Sequence, residues 1–386
     1  MNHQTELITL LQTLVQTPSV NGVHPEAAVA EVVVQFAQAH GLAVEVVARE
    51  AARPSVLVRL GPPGAVGLLL VAHTDTVAPG DEAAWTYPPF GGVIEDGRLY
   101  GRGAVDNKGG LVAALAALLL LQESPPARPV LLACVPDEEA GATGRLGIQH
   151  LHALGKLSGR GAIYTYPGLD ELVLGHRGVY RFKLLARGQA VHSGSLAWQQ
   201  GQGCNAVTGL ADLALALEAL RFPDESTDLF APYRTVVTPT VLRGGVGPSM
   251  VPDLAEAYVD VRLTPSVPRA LVEQAVMALV EATCARRPGL RVEVVPDVYL
   301  PPTVIPVDSP IVQAVQVAAQ QRLGRPPVLT VSGPANESYL LNGYGIPTCI
   351  FGPEGGNAHA ADEYVVLDSL FAVAEVYADV AGRLGV

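Results

Sequence analysis

The sequence has little of several residue types, and each shortage argues against a class of protein. Only 16% of its 386 residues are charged, whereas 49% are hydrophobic, a balance typical of a packed globular chain and not of a disordered one. Basic residues are scarce, since 25 Lys and Arg stand against 37 Asp and Glu, and the formal charge is −12. This charge argues against nucleic acid and anionic membranes as partners.

Cysteine and long apolar runs are also scarce. The four cysteines are scattered, form no CxxC pair and lie in or near apolar segments, so we expect buried free thiols of a cytoplasmic protein. The longest unbroken apolar run, 111–121, is shorter than the about 20 residues that span a bilayer. No signal peptide is visible in the first residues. We therefore expect no membrane partner.

The order of apolar segments predicts an α/β protein with an insertion. A chain of 386 residues is long for one hydrophobic core, so we expect two domains. Strand-like runs alternate with amphipathic helical segments toward both ends, whereas 180–295 follows a β-α-β-β-α-β order. We therefore predict a discontinuous domain, 1–177 and 298–386, and an inserted α+β domain, 178–297.

Two local patterns give weaker predictions. The stretch from 79 to 103 is rich in Gly, Pro and aromatic residues, which predicts one long loop. The last helix is predicted from Ser369 to Leu384, with Asp368 as a candidate N-cap.

Polar side chains follow several apolar strands at the points where the strands end. His73 and Asp75 come after the apolar run 68–71, and residues two apart on a strand point to the same side. Ligands of open α/β sheets bind at that edge of the sheet. The pair could equally be a hydrogen-bonded strand end without chemistry.

Acidic residues mark the next two positions. Asp106 lies at a loop-to-helix junction, where an ordinary helix N-cap is the alternative to a functional carboxylate. Asp137, Glu138 and Glu139 follow the apolar strand 129–135 and repel one another. They form either a solvated turn or a site that a metal cation neutralises.

His359 follows another apolar strand and completes a set of two histidines and several carboxylates, without cysteine. Such a set suits zinc or a similar divalent ion. Metal-assisted hydrolysis needs one carboxylate more than the ligands, because a free Glu takes a proton from the activated water. Serine and nucleotide chemistry lack support, since the sequence contains no G-x-S-x-G, P-loop or G-x-G-x-x-G motif.

Together these segments resemble a known family, the co-catalytic di-zinc exopeptidases and deacylases that include acetylornithine deacetylase, succinyl-diaminopimelate desuccinylase, aminoacylase and carboxypeptidase G. The matching motifs run in the family's order over nearly the whole chain, at 72–77, 100–110, 137–141, 176–178, 192–194, 251–253, 260–262 and 345–363. The resemblance implies a zinc-exopeptidase-like catalytic domain with a mixed sheet between helices. It also implies a ferredoxin-like lid and dimerisation domain at 178–297.

The resemblance also implies a ligand set. His73 would bind one metal, and His359 and Glu139 would bind the other. Asp106 would bridge the two ions, and the Asp106–Asn107 peptide would be cis. Zinc is the expected ion, with one or two per subunit, and cobalt or manganese are alternatives.

Three further residues receive catalytic roles from the resemblance. Glu138 would be the general base, and Asp75 would orient His73. His192 would reach into the partner subunit's active site and stabilise the oxyanion. The bland alternative for His192, which precedes Ser-Gly, is an ordinary turn residue.

Substrate-binding roles follow in the same way. Arg262 would anchor the substrate carboxylate, for which a planar bidentate donor is suited, although it could instead pair with Asp260 or Asp253. Ser249 and Asn336 are also candidate substrate-binding residues, although both depart from the family: Ser249 stands where an Asn often contacts substrate, and Asn336 lies in a segment that replaces the more usual Thr-Asp-Ala.

The chain departs from the family at the first metal site. Many members have a Glu that completes this site shortly before the motif at 176–178, and here Tyr166 stands at that position. Asp170 and Glu171 are the nearest acids in sequence, and a turn at 167–168 aims them elsewhere. We therefore predict weaker metal binding at His73 than at Glu139 and His359.

The sequence thus predicts a metal-dependent hydrolase that cleaves the amide bond of an N-acyl amino acid or a small peptide. It predicts a homodimer that associates through the inserted domain. Two alternatives stay open, a one-metal hydrolase of the same substrate class and a non-catalytic dimeric binding relative.

Overall fold

The computed structural model describes residues 3–223 and 228–385. The chain forms two compact units. The larger unit contains Met1–Gly175, Val304–Val331 and Asn336–Val386, and the inserted unit contains His176–Thr303 and Ser332–Ala335. The predicted action of 178–297 as a lid and dimerisation domain stays a prediction.

The helices in chain order are α1 Gln4–Gln16, α2 Ala27–Ala39, α3 Gly109–Gln122, α4 Ile148–Ala153, α5 Leu196–Gln199, α6 Ala206–Glu218, α7 Arg269–Arg286, α8 Pro310–Leu323, α9 Ser338–Gly343 and α10 Leu367–Leu384. Short 3₁₀ turns lie at Glu82–Ala84 and Asp228–Phe230, and a π-type turn, Ala104–Lys108, leads into α3.

The strands in chain order are β1 Ala43–Val47, β2 Ser55–Leu60, β3 Leu68–His73, β4 Val93–Glu95, β5 Arg98–Tyr100, β6 Val130–Val135, β7 Gly161–Tyr164, β8 Glu171–His176, β9 Gly178–Arg187, β10 Val236–Gly244, β11 Leu254–Leu263, β12 Arg291–Leu300, β13 Thr303–Val304, β14 Val328–Ser332, β15 Thr348–Ile350, β16 Gly355–Gly356 and β17 Tyr364–Val366.

A mixed sheet organises the larger unit, as the α/β prediction requires. Its strand order is β1-β2-β6-β3-β7-β15-β8-β13, and β14 pairs with β8. The central strands β6, β3, β7 and β15 are parallel, and β3 and β6 are buried along their whole length. Their carboxyl ends therefore meet at one edge of the sheet, which brings together the segments that follow them.

Helix α3 is apolar on every side because it lies in the interior, packed against α10, α1 and the central strands. The stretch Ala104–Gln122 has the length and hydropathy of a membrane span, but 94% of an 18-residue segment within it is buried inside the protein. Gly110 allows the helix to start against the end of β7, because a Cβ there would lie 2.0 Å from the Thr165 carbonyl oxygen.

The predicted long loop at 79–103 is wrong in its second half. There β4 and β5 form a hairpin that pairs with β17 and β16 in a small sheet. Asp96 and Gly97 both have positive φ, 48° and 73°, as a tight hairpin turn requires. The Asp-Gly pair was the sequence signal, but strands of three residues are too short to show alternation.

Helix α10 begins at Leu367, two residues before the predicted start. Asp368 therefore lies inside the first turn and does not cap the helix, so that prediction is wrong. Its carboxylate still carries a favourable charge at the helix N-terminus.

The inserted unit has the predicted β-α-β-β-α-β order, with the short α5 added before α6. Its antiparallel sheet has the order β10-β11-β9-β12. Alternating side chains of β9 and β11 are buried, and they pack against α6 and α7. Strand β10 lies at one edge of this sheet.

Candidate metal centre and active site

The site begins at the end of β3, where the imidazole of His73 is fully buried. Its Nδ1 lies 2.9 Å from the backbone oxygen of Asp75 and 3.7 Å from the Asp75 carboxylate. A carbonyl oxygen can only accept, so Nδ1 carries the proton and donates. The other ring nitrogen, Nε2, therefore faces Asp106, whose Oδ1 is 2.9 Å away.

Asp106 does not cap a helix, so that alternative is wrong. The N-cap of α3 is Lys108, and that of the π-type turn before it is Gly103, so Asp106 lies inside the turn, with φ and ψ of −121° and 85°. The Asp106–Asn107 peptide is cis, as the resemblance implies. The carboxylate bridges two histidines, with Oδ1 near His73 and Oδ2 3.2 Å from Nε2 of His359.

The acidic turn after β6 is buried, so the reading as a solvated turn is wrong. Asp137 and Glu138 expose 7% and 6% of their surface. The Asp75 carboxylate accepts hydrogen bonds from the backbone N–H groups of Glu138 (3.2 Å) and Glu139 (3.0 Å). Asp75 therefore fixes the turn as well as approaching the His73 ring.

His359 reaches the same place from the loop between β15 and β17. Its Nε2 lies 3.1 Å from Oε1 of Glu139, and its φ of 62° falls in the left-handed region. The side chain stays 53% exposed, in contrast to the buried His73. This loop supplies the accessible side of the ligand cluster.

A buried ion pair ties the loop of His359 to the turn of Asp106. Oε1 of Glu363 accepts from the backbone N–H groups of Val105 and Asp106, each at 3.1 Å. Its Oε2 accepts from Arg102 at 2.5 Å, and Arg102 also donates to the Ala360 carbonyl at 3.2 Å. The pair thus holds both ligand-bearing segments at once.

Opposite charges set the protonation of the histidines and Asp106. Burial opposes charge on His73, but hydrogen bonds to Asp106 and Asp75 raise its pKa well above the usual value. Hydrogen bonds to Asp106 and Glu139 raise the pKa of His359 to about 10. Burial opposes ionisation of Asp106, but its two histidine partners lower its pKa overall. In the metal-free chain, protons therefore hold these ligands together.

Glu138 has the opposite shift. Burial raises its pKa to about 8, helped by the charges of Glu139 and Asp106, while His73 and a hydrogen bond from Tyr166 act in the other direction. A carboxyl group that titrates near neutral pH can both accept and release a proton under working conditions.

The donor atoms fit divalent metal ions. Two groups, His73 with Glu138 and Glu139, and Asp106 with Glu139 and His359, each have ligand atoms within 4.8 Å of one another. Ligands about 2.0–2.2 Å from a tetrahedral zinc lie roughly 3.3–3.6 Å apart, slightly farther than the His–carboxylate distances of 2.9–3.2 Å here. His73, Asp106, Glu139 and His359 are the side chains that would hold the ions.

A comparison with protein families shows to which family the chain belongs. The description "Peptidase family M20/M25/M40" matches residues 69–383. The chain belongs to this family. It is a metal-dependent amidohydrolase.

Named M20 relatives support the assignment. A succinyl-diaminopimelate desuccinylase from Rhodospirillum centenum is 32% identical over 342 residues, covering 84% of this chain and 83% of that protein. One from Paracoccus denitrificans is 29% identical over 346 residues, covering 86% of each. The crystal structure of YXEP from Bacillus subtilis, a dinuclear metal-binding M20 peptidase, aligns with a TM-score of 0.74 at 18% identity, covering 99% and 98%. The last likeness shows the fold.

Tyr166 stands where the resemblance led us to expect a Glu, and the structure shows what surrounds it. Its half-buried ring lies 5.3 Å from the His73 ring, and burial raises its pKa well above the usual value. Asp170 is exposed and paired with Arg325, and Glu171 is exposed at the start of β8. Neither acid belongs to the described ligand groups around His73.

Sequence reasoning missed several residues that support the M20 centre from a distance. Asn21 donates to Asp75 at 2.6 Å, and Arg53 pairs with both Glu26 and Asp137.

Glu337 is a further buried carboxyl group that the sequence did not indicate. It accepts from Tyr164 at 2.9 Å, and its other oxygen is buried without a partner among the described residues. Burial raises its pKa well above the usual value. These contacts join distant segments, so no local motif announces them.

The remaining predicted residues are placed as follows. His192 is exposed in a turn where its Nδ1 accepts from Gly194 N–H at 3.1 Å. Ser249 is exposed, and its carbonyl accepts from Ser193.

Arg262 donates through Nε to Asp260 at 2.7 Å, which is the pairing that the alternative to a substrate anchor predicted. Asn336 belongs to the larger unit, and its Oδ1 accepts from the N–H of Ser338.

Proposed function

We propose that this M20 enzyme hydrolyses the amide bond of an N-acyl amino acid or a small peptide that carries a free carboxylate, with Glu138 as general base. The observation that carries the proposal is the position of Glu138. Its carboxyl group lies within the buried cluster, its backbone is fixed by Asp75, and its pKa is raised to about 8. The desuccinylase relatives cleave an N-acyl amino acid by name, which supports the substrate class.

His73, Asp106, Glu139 and His359 are the proposed metal ligands, with zinc as the preferred ion and cobalt or manganese as alternatives. Zinc held there would supply Lewis acidity, which polarises a carbonyl and lowers the pKa of water. Glu138 would take one proton from the attacking water and pass it to the departing amine nitrogen. Its raised pKa suits both transfers, since a base near the working pH can also act as an acid.

Asp75 has a double role in this proposal. Its backbone oxygen accepts from Nδ1 of His73, which keeps the lone pair of Nε2 directed at the metal position. Its carboxylate holds the N–H groups of Glu138 and Glu139, which fixes the base relative to a ligand. Asn21 supports the same carboxylate.

A one-metal hydrolase is the second candidate, and Tyr166 is the observation that favours it. A protonated phenol near His73 offers no anionic ligand to complete that half of the cluster. The chemistry assigned to Glu138 would be unchanged. The non-catalytic alternative is not carried further, because the chain belongs to a peptidase family.

Arg262 is the proposed anchor for the substrate carboxylate. Its bond to Asp260 uses Nε, and the two terminal amino groups can form a bidentate contact with a carboxylate. Ser249 and Asn336 are proposed to contact the substrate as well. The four free thiols of the chain support the predicted cytoplasmic location.

A homodimer through the inserted unit is also proposed. The edge strand β10 and its surroundings expose several large apolar side chains, namely Val241, Leu242, Val246, Met250 and Leu254. An exposed apolar edge strand is a template for pairing with a second copy. Because Nδ1 of His192 accepts from Gly194, its Nε2 carries a proton and can donate to an oxyanion in the partner's site.

Mixing two inactive variants tests donation across the dimer. Subunits with Glu138→Gln and with His192→Ala should regain part of the activity when mixed, since one site of a mixed dimer would be intact. Absence of recovery under conditions where subunits demonstrably exchange would contradict a role of His192 in the partner's site.

A substrate panel tests the proposed reaction. N-acetyl and N-succinyl amino acids, dipeptides and matched amides without a free carboxylate are incubated with zinc-, cobalt- or manganese-loaded enzyme. We expect release of amine from the carboxylate-bearing compounds and little from the matched amides. Equal rates on both sets would show that the enzyme does not recognise the substrate carboxylate. Hydrolysis of none of these compounds would contradict the proposed substrate class.

A further inference from the structure

A second group of metal-binding side chains lies in the larger unit, separate from every residue assigned to the M20 centre. It consists of His3, Glu6 and His40. We propose that these three residues form a zinc site that links the start of α1 to the end of α2. We call it the helix-linking site.

The three donors come from two helices. His3 is the residue before α1, and Glu6, three positions later, lies on the same side of the helix. His40 follows the last residue of α2. Oε2 of Glu6 lies 3.1 Å from Nδ1 of His3 and 3.2 Å from Nε2 of His40, so one carboxylate oxygen faces both rings.

His40 is already oriented as a metal ligand. Its Nδ1 lies 2.9 Å from the carbonyl oxygen of Phe36 and must donate to it. In the neutral ring, Nε2 is then an acceptor that faces the Glu6 carboxylate, which is also an acceptor. Two acceptors at this distance need a cation between them, either a proton or a metal ion. A backbone carbonyl on the outer nitrogen is the arrangement that metal-bound histidines commonly use.

Packing holds His40 in this orientation. Its ring lies 4.3 Å from that of Phe36, and only 12% of its side chain is exposed. Gln122 of α3 donates to the His40 carbonyl at 2.7 Å, which fixes the backbone. The ring therefore loses little freedom when it binds an ion, and this reduces the entropic cost of binding.

The donor types select the ion. Two imidazoles and one carboxylate form a three-ligand set typical of zinc with one open position, and imidazole is a poor ligand for calcium or magnesium. His3 and Glu6 have exposed side chains, 44% and 50%, so they can rotate to close around an ion. The open position faces solvent and would hold water.

Zinc at this site would stabilise the attachment of α1. The carboxyl end of α1 contacts the turn Ala104–Lys108, which contains Asp106. The buried ammonium of Lys108 donates to the carbonyls of Leu14 (2.8 Å) and Thr17 (3.0 Å). Fixing the start of α1 to α2 restrains the same helix from its other end. We expect a rise in unfolding temperature on zinc binding, with little change in the hydrolysis rate.

Zinc counting on the holoenzyme tests the site. Untagged protein with its catalytic centre loaded is dialysed against rising zinc in the micromolar range, and bound zinc per chain is measured together with the unfolding temperature. We expect one additional ion per chain. His40→Gln and Glu6→Gln should weaken its binding by at least the about 10- to 100-fold typical of losing an outer-shell partner. Both variants should keep the hydrolysis rate.

His152→Gln is the matched control, because His152 is an exposed histidine of the same unit outside the helix-linking site. It should bind the additional ion like the parent protein. The proposal is overturned if the parent binds no zinc beyond its catalytic complement, or if His40→Gln binds the additional ion with unchanged affinity. Anomalous diffraction at the zinc edge should show a peak between His3, Glu6 and His40, and a peak elsewhere would also overturn it.

Discussion

The two halves of the candidate ligand cluster share Asp106 but differ in what completes them. Around His359, Asp106 and Glu139 supply two carboxylates at 3.1–3.2 Å. Around His73, Asp106 lies at 2.9 Å, and the next ring is that of Tyr166, whose phenol keeps its proton. At hydrogen-bond distance from the Nε2 atoms, the His359 half thus has two carboxylates and the His73 half has one, with Glu138 and Glu139 only within 4.8 Å of His73. Carboxylate charge is what holds a divalent ion at a buried position.

The halves also differ in how their histidines are supported. His73 ends a buried strand and has no exposed surface, so its position follows from the sheet itself. His359 lies on a half-exposed loop and depends on contacts made by the loop, above all the ion pair of Arg102 and Glu363. The half with two carboxylates in contact with its histidine, that of His359, therefore has the more exposed histidine. The effect of ligand charge and the effect of the contacts that position the histidine can thus be tested separately.

The largest effect is expected for Glu138→Gln. We expect the variant to keep its fold and metal, while kcat falls by about 10²-fold or more, because the general base is lost. Zinc content and kcat are measured together. The two measurements separate a role of Glu138 as base from a role as a further ligand of the metal ion at His73. The second role has to be tested because His73, Glu138 and Glu139 form one group of possible ligands.

The exposed Glu171→Gln is the control for Glu138→Gln and should leave both quantities unchanged. Near-normal turnover with metal bound would show that Glu138 is not the base. Loss of zinc from the His73 half would instead make Glu138 its missing ligand.

The next largest effect is expected for Glu363→Gln. The amide cannot carry the charge that pairs with Arg102, so both the turn of Asp106 and the loop of His359 lose support. Because Asp106 belongs to both halves, we expect zinc binding at both to weaken by about 10- to 100-fold. Competition with a chromophoric chelator measures this directly.

Glu26→Gln is the matched control for Glu363→Gln, since Glu26 is also a buried carboxylate paired with an arginine, Arg53. Both variants should unfold at lower temperature, but the loss of zinc affinity should be larger in Glu363→Gln. Equal affinities in the two variants would mean that Glu363 acts on stability alone.

A smaller effect is expected for Tyr166→Glu, which adds the charge that the His73 half lacks. In the parent protein we expect zinc to fill the His359 half first and the His73 half only at higher concentration. The carboxylate should tighten the second step by at least about tenfold, whereas Tyr166→Phe should not. Titration with anomalous diffraction at the zinc edge would decide, and two equally occupied ions in the untreated parent would contradict the comparison.

The sequence predicted which side chains lie close together, because His73 and the acidic turn follow apolar strands whose ends must meet in a parallel sheet. It predicted less of what supports them. Arg102 and Glu363 are separated by 261 residues, and Asn21 and Asp75 by 54, so their pairing depends on tertiary structure alone. The turn at 167–168 was enough to predict that the acids after Tyr166 point away from His73, but the partner of Asp170, Arg325, lies 155 residues away and could not be predicted.

The smallest effect concerns pH and the metal-free protein. Hydrogen bonds to Asp106 and Glu139 raise the pKa of His359 to about 10, above the about 6.5 of an unfolded histidine. A raised histidine pKa adds stability that is fully present below about pH 6.5 and is lost as pH rises toward 10. Metal-free protein should therefore become less stable between these values, and zinc-loaded protein should lose less, because the ion replaces the proton.

His359→Gln isolates this contribution. Glu138, whose pKa is about 8, titrates in the same window and is present in both proteins, so the difference between parent and variant reports His359 together with the carboxylates that it contacts. We expect the variant's unfolding temperature to fall less between pH 7 and pH 10. The difference should be small, because the side chain is half exposed and solvent screens its charge. A steeper fall in the variant would mean that the His359 half is not held by protons when metal is removed, and the contrast between the two halves would then rest on Tyr166 alone.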